Sequence, residues 1–103
     1  MMTPPADGAS PSSGALVREL PITNKRGLHA RASAKFVQMV ERFEAEISVT
    51  RNGETVGGTS IMGLMMLAAG IGTTITIAAS GAQAQQALDA LTTLVTTKFG
   101  EEE

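Results

Sequence analysis

The residue pattern with the clearest chemical potential is a single histidine followed closely by an arginine. His29 is the one histidine of the 103-residue chain, and Arg31 stands two positions later. Apolar residues after His29 recur at spacings of three and four, which predicts that His29 lies where a loop enters a helix. The amides of Ala30 and Arg31 then have no partner within that helix and, with the helix dipole, form an anion site. The guanidinium of Arg31 matches phosphate oxygens, so we expect bound phosphate here.

His29 itself supplies a nitrogen nucleophile. The chain has no second histidine, no cysteine and no tyrosine, which excludes a hydrolytic triad. The pattern therefore favours a carrier of a phosphoryl group on nitrogen, with no turnover of its own. Two other interpretations stay open on these residues alone: a capping or surface histidine in a purely structural domain, and, weakest, a metal ligand, for which no ligand spacing exists.

The charge distribution points to an anionic partner. The chain carries 8 basic and 10 acidic residues, a net charge of −2. Positions 25–42 hold five of the eight basic residues, with Glu41 the one acidic residue among them: Lys25, Arg26, Arg31, Lys35 and Arg42. A cationic face around the histidine of an acidic chain attracts phosphate or an acidic protein. Three aromatic residues in such a chain argue against a nucleic-acid partner.

Composition also indicates the cellular compartment and the number of domains. The absence of cysteine excludes disulfides, zinc–thiolate sites and iron–sulfur clusters. Positions 1–14 hold three of the four prolines, and we predict a disordered leader there, without the features of a secretory signal. The longest apolar-rich window, 61–71, is too short to insert into a membrane. We expect a cytoplasmic protein with one domain over 15–100 and a frayed acidic tail over 101–103.

Apolar periodicity and turn residues divide the domain into seven elements. In the order strand, helix, strand, strand, helix, strand, helix, they are 16–22, 30–43, 47–50, 55–56, 61–68, 73–79 and a last helix that begins at 84 and ends before Gly100. Asn52-Gly53 predicts a hairpin turn, Ser60 an N-cap, and Gly70 and Gly100 the ends of two helices. This order predicts an α+β, two-layer open-faced sandwich: a four-stranded antiparallel sheet with three helices on one face.

The short second helix is too apolar to be buried on one side. We expect Leu64, Leu67 and Ile61 to lean inward and Met62 and Met65 to face outward. Exposed methionines adapt to several partners, so the outward face is a candidate docking surface.

Two segments resemble a known family. GLHARASAKFVQ, over 27–38, looks like the active-site signature of HPr, the histidine-containing phosphocarrier family of the phosphoenolpyruvate-dependent phosphotransferase system. SIMGLM, over 60–65, resembles the regulatory-serine segment of the same family. The predicted element order is also that family's fold, and the resemblance covers about 15–100.

The resemblance implies a role for each candidate residue. His29 would accept a phosphoryl group on Nδ1 from phosphorylated enzyme I and pass it to a histidine of a IIA-type protein, while Arg31 neutralises the phosphate. The group comes from phosphoenolpyruvate, and no other cofactor is implied. Ser60 would be a substrate of an HPr kinase/phosphorylase. The partner-docking residues of a monomeric carrier would be Ile61, Met62, Met65 and Lys35.

The sequence departs from the family pattern at Ala32, where members of the family usually have proline. Proline would rigidify the first helical turn, so Ala32 is expected to alter the transfer rate or the lifetime of phosphohistidine, and not the nucleophile. The segment over 22–25 inclines towards the nitrogen-related branch. The alternative function is accordingly a regulatory binding module whose phosphorylation state target proteins sense, with little onward transfer.

Overall fold

The computed structural model describes residues 15–100, and the predicted element order is confirmed within them. The elements are β1 (Leu16–Pro21), α1 (Ala30–Val40), β2 (Glu46–Arg51), β3 (Glu54–Gly57), α2 (Ile61–Met66), β4 (Thr74–Ser80) and α3 (Ala84–Thr96), followed by a 3-10 turn over Lys98–Gly100. The leader predicted over 1–14 and the tail predicted over 101–103 lie outside the described residues.

The four strands form one antiparallel sheet in the order β1-β4-β2-β3. Pro21 is the last residue of edge strand β1, where its missing N–H breaks no ladder. Asn52 and Gly53 join β2 to β3 with φ of 52° and 81°, as the predicted two-residue turn requires.

The two faces of the sheet differ as the alternation predicts. Along β4, Ile75, Ile77 and Ala79 are buried, whereas Thr74 and Thr76 face the other way. The helices cover the first face, and the second is open to solvent. The largest fully buried apolar side chains come from all these layers: Phe36, Phe99, Ile22, Leu64, Ile75, Ile77, Leu88, Leu91, Val49 and Val95.

Helix α1 ends at Val40, three residues before the predicted end at 43. The amides of Arg42 and Phe43 donate to the carbonyls of Met39 and Val40 at 3.2 and 3.1 Å, which tightens the chain into a turn. Phe43 still packs against the core, so its apolar spacing continued the helical pattern beyond the helix itself.

Helix α2 also ends earlier than predicted, at Met66, and the residue that terminates it is Ala68 and not Gly70. Ala68 adopts the left-handed conformation, with φ of 55°. The guanidinium of Arg51 on β2 donates to the carbonyl oxygen of Leu67 at 3.0 Å and so satisfies one of the last carbonyls of the helix. The expectation that Ile61 leans inward is wrong, because Ile61 is 40% exposed while Leu64 and Leu67 occupy the buried side.

Helix α3 ends at Thr96, and Gly100 closes the following turn instead of the helix. Lys98, Phe99 and Gly100 all have positive φ, which returns the chain to the domain and buries Phe99. The ammonium of Lys35 on α1 donates to the carbonyl oxygen of Phe99 at 2.6 Å. Across residues 15–100, no helix has both the length and the apolar character needed to cross a membrane.

Candidate functional site

His29 lies at the N-cap position of α1, as predicted from the sequence. Its backbone is extended, with φ of −75° and ψ of −178°, and its side chain is half-buried and makes no capping hydrogen bond to the helix. The amide of Ser33 donates to the carbonyl of His29 at 2.8 Å and forms the first bond of the helix. The amides of Ala30 and Arg31 precede that bond, so they lie at the positive end of the helix dipole.

The loop before His29 is held by its own hydrogen bonds. Buried Asn24 donates from its side-chain nitrogen to the carbonyl of Gly27 at 2.9 Å, and the amide of Gly27 donates back to the carbonyl of Asn24 at 3.2 Å. The hydroxyl of Ser33 donates to the carbonyl of Leu28 at 3.2 Å. These contacts fix the backbone on which His29 is carried.

The segment after α2 forms the opposite wall of the site. The amide of Leu28 donates to the carbonyl oxygen of Ala69 at 3.0 Å. Gly27 has φ of +65°, and a Cβ atom there would overlap the carbonyl oxygen of Ala69. Glycine is therefore required at this close approach, both for its conformation and for its size.

An open depression of about 210 Å³ lies beside His29. Its lining residues are Arg26, Leu28, His29, Ala68, Ala69 and Gly70. Sequence reasoning placed Arg26 in the basic window but missed the three residues after α2. No local signal could have found them, because the contact joins positions some 40 residues apart in the chain.

Arg31 lies in the first turn of α1 and is exposed, whereas Ala32 beside it is completely buried. An exposed guanidinium at this end of the helix is accessible to a phosphate held near the amides. The effect expected from alanine in place of the family's proline at this position stays a prediction.

Ser60 is exposed and caps α2, as predicted. Its Oγ accepts a hydrogen bond from the amide of Gly63 at 2.9 Å. A Cβ atom on Gly63 would come within 2.9 Å of that Oγ and of the Val56 side chain, so the absence of a side chain at Gly63 leaves room for the cap.

The outer face of α2 carries the predicted docking residues. Ile61, Met62 and Met65 are exposed, and Met66, which the sequence reasoning did not assign, is exposed as well. Ala68, two residues after this helix, lines the depression beside His29, so the C-terminal end of α2 lies near the site. Lys35 differs: it is half-buried and its ammonium is bound to the Phe99 carbonyl, so its docking role stays a prediction.

Within 15–100, histidine, aspartate and glutamate side chains form no group of three or more that could hold a metal ion. The polar groups that the structure places at the site are the imidazole of His29, the amides at the start of α1 and the guanidinium groups of Arg26 and Arg31.

Comparisons with known proteins identify the family of the chain. Residues 16–97 match the family model described as the PTS HPr component phosphorylation site. Phosphocarrier protein HPr of Cupriavidus necator is 51% identical over 88 residues, covering 85% of this chain and 99% of that protein. Phosphocarrier protein NPr of Shewanella violacea is 43% identical over 86 residues, covering 84% and 94%.

Solved structures give the same result. HPr-C-His of Thermoanaerobacter tengcongensis superposes with a TM-score of 0.82 at 39% identity, covering 85% of this chain and 99% of that one. The chain therefore belongs to the HPr family and serves as a phosphocarrier of the phosphoenolpyruvate-dependent phosphotransferase system.

Proposed function

We propose that His29 is the residue that carries the phosphoryl group. The lone pair on Nδ1 attacks phosphorus, the N–P bond to the phosphohistidine of enzyme I breaks, and a new N–P bond forms on His29. In a second displacement, a histidine nitrogen of a IIA-type protein attacks the phosphorus, the N–P bond on His29 breaks, and a new N–P bond forms on the acceptor. The observation that supports this most directly is the N-cap position of His29, next to the amides that start α1. Because phosphoenolpyruvate is the donor, we expect a cytoplasmic relay.

Labelling tests this proposal. The full chain is incubated with enzyme I and radiolabelled phosphoenolpyruvate, and the expected product is an acid-labile, alkali-stable phosphate. His29→Ala is expected to abolish the label while its circular dichroism spectrum stays that of the wild type. Absence of label on the wild type, or its retention in His29→Ala, would overturn the assignment.

We propose that Arg31 binds the transferred phosphate. A guanidinium bonded to a phosphate oxygen is a charge-assisted contact, and losing one lowers the rate on the order of tenfold. Arg31→Gln is expected to slow phosphorylation of His29 by about that factor, measured from the initial rate of labelling.

Arg42→Gln is the matched control for Arg31→Gln. Arg42 is also exposed, but it lies beyond the other end of α1, where its guanidinium approaches the Met39 sulfur at 4.0 Å. Equal slowing in both variants would mean that general charge, and not a contact at the site, is responsible.

Ser60 is the proposed regulatory residue, phosphorylated by an HPr kinase/phosphorylase where one is present. Its hydroxyl is exposed beside the docking face, and a dianion at the start of a helix is electrostatically favoured. Phosphorylation would then act through charge repulsion of an acidic partner and leave the domain folded.

Ser60→Asp is expected to lower the rate of phosphorylation by enzyme I. Thr59→Asp is the matched control, because Thr59 is an exposed neighbour that does not supply the cap. Rates equal to wild type for Ser60→Asp would contradict regulation at this residue, and an equal loss in both variants would show that position 60 has no special role.

The alternative function is a regulatory module of the nitrogen-related branch, and the similarity to NPr of Shewanella violacea is the observation that favours it. A set of purified IIA-type proteins separates the two. Rapid loss of label from phosphorylated protein to one acceptor supports a relay, whereas stable label in the presence of every acceptor supports a sensed state. We expect a monomer in either case, which sedimentation measures directly.

A further inference from the structure

Three methionines are displayed on one short helix. Met62 and Met66 are 68% and 72% exposed, and Met65 is 40% exposed. Met62 and Met66 stand four positions apart, so they are neighbours on the same face of α2. Met39 on α1 is only partly buried but packs against the core, which gives a contrasting thioether in the same molecule.

We propose that Met62 and Met66 form a site of reversible oxidation by peroxides. The thioether sulfur attacks one oxygen of hydrogen peroxide, a sulfur–oxygen bond forms as the O–O bond breaks, and the departing hydroxide takes the proton of the attacked oxygen and leaves as water. The sulfur loses two electrons and the peroxide gains them. Methionine sulfoxide reductases return the sulfoxide to the thioether, so the modification is chemically reversible.

Exposure selects these two sulfurs. Attack on a peroxide requires the oxidant to reach the thioether, and both side chains have about two thirds or more of their surface in solvent. Met65 is less accessible, and Met39 is only partly exposed because it packs against the core. The expected order of oxidation is therefore Met62 and Met66 before Met65, and Met65 before Met39.

The fold tolerates the change. Leu64 and Leu67 bind α2 to the core, with 0% and 3% exposure, and neither needs the outer methionines. Ser60 holds the start of the helix and Arg51 holds the Leu67 carbonyl at its end. A polar oxygen added on the outer face leaves all of these contacts in place.

The consequence rests on the proposed function, in which this face meets enzyme I. A sulfoxide oxygen is a strong hydrogen-bond acceptor that loses its water when an apolar partner surface covers it. Docking is then weakened while the imidazole of His29 is unchanged. Oxidation is expected to raise the KM for phosphorylation by enzyme I at least fivefold and to leave kcat within a factor of two.

The experiment treats the full chain with hydrogen peroxide, removes the peroxide with catalase, and only then adds enzyme I and phosphoenolpyruvate. Peptide mass spectrometry follows the gain of about 16 Da at each methionine over time. Thermal unfolding of the oxidised protein is expected to match the untreated protein within experimental error.

The double variant Met62→Leu with Met66→Leu is the matched control, because leucine keeps the apolar face and removes the sulfurs. Its KM is expected to stay constant through peroxide treatment. Oxidation of Met39 at the same rate as Met62 overturns the site assignment, whether or not the protein is a phosphoryl acceptor. An unchanged KM after complete oxidation of Met62 and Met66 overturns the switch. Failure of the untreated wild type to be phosphorylated overturns the proposed function instead, and the mass readout still decides the oxidation site.

Discussion

Helices α2 and α3 are both rich in apolar residues, yet they use them in opposite ways. Helix α3 directs its apolar stripe inward, and its buried residues are Ala84, Ala87, Leu88, Leu91 and Val95. Helix α2 buries Leu64 alone within its six residues and presents a side chain of isoleucine and three of methionine to solvent. Helix α3 therefore contributes to the core, whereas helix α2 exposes an apolar surface to solvent.

The two helices are also held by different forces. Gln83 occupies the N-cap position before α3, but its side chain makes no cap, and its Oε1 accepts a hydrogen bond from the amide of Glu44 at 2.7 Å. Helix α2 is bounded by Ser60 at its start and by Arg51 beside its end. A helix that contributes little burial thus relies on polar contacts at its termini, whereas a long amphipathic helix is stabilised by packing.

The largest expected effect is on α3. Leu91 is completely buried, so Leu91→Ala should lower the free energy of unfolding by about 2 to 5 kcal/mol, measured by urea denaturation. Met66→Ala on α2 removes a side chain of similar size that is exposed, and should change that free energy by less than about 0.5 kcal/mol. Similar losses in the two variants would refute the contrast between the helices.

The next effect concerns the end of α2. Arg51→Gln removes the charged donor at the Leu67 carbonyl and should lower the free energy of unfolding by about 1 to 2 kcal/mol. Arg42→Gln, which removes an exposed arginine, serves as the control and should be nearly neutral. Hydrogen exchange at the α2 amides should increase in Arg51→Gln and stay unchanged in α3.

The start of α2 should respond more weakly. Ser60→Ala removes the hydroxyl that accepts from Gly63 and should cost about 1 kcal/mol in the same urea measurement. Thr59→Ala changes an exposed neighbour outside the cap and should cost much less. If Thr59→Ala is the more damaging variant, the capping residue has been misidentified.

The smallest effect is a gain. Ala68 holds a left-handed backbone conformation that glycine adopts without strain, so Ala68→Gly should raise the stability by up to about 1 kcal/mol. Ala69→Gly is the control for backbone strain, because Ala69 is buried and does not have a positive φ. The Ala69→Gly variant should be less stable than the wild type. A loss of stability in Ala68→Gly would show that its methyl group contributes packing that outweighs the backbone strain.

Local sequence was enough for several features of the site. The Asn52-Gly53 turn, the Ser60 cap and the placement of His29 at the start of α1 are each decided by residues within four positions of one another. Propensities, caps and turn geometry act over that range, which is why pattern reasoning reached them. The same reasoning placed the ends of α1 and α2 too late, since both ends are set by contacts outside the periodic pattern.

The element order and the position of His29 before the first residue of α1 followed from local patterns in the sequence. The distant segment that lines the depression beside His29 was set by the packing of the whole domain. The carbonyl of Ala69 accepts a hydrogen bond from the amide of Leu28, and the ammonium of Lys35 donates to the carbonyl of Phe99. The strand order β1-β4-β2-β3 and the packing of the helices bring these distant positions together. The outward position of Ile61 has the same origin: Leu64 and Leu67 occupy the space under α2, and no periodicity within a six-residue helix specifies which apolar side chain is left outside.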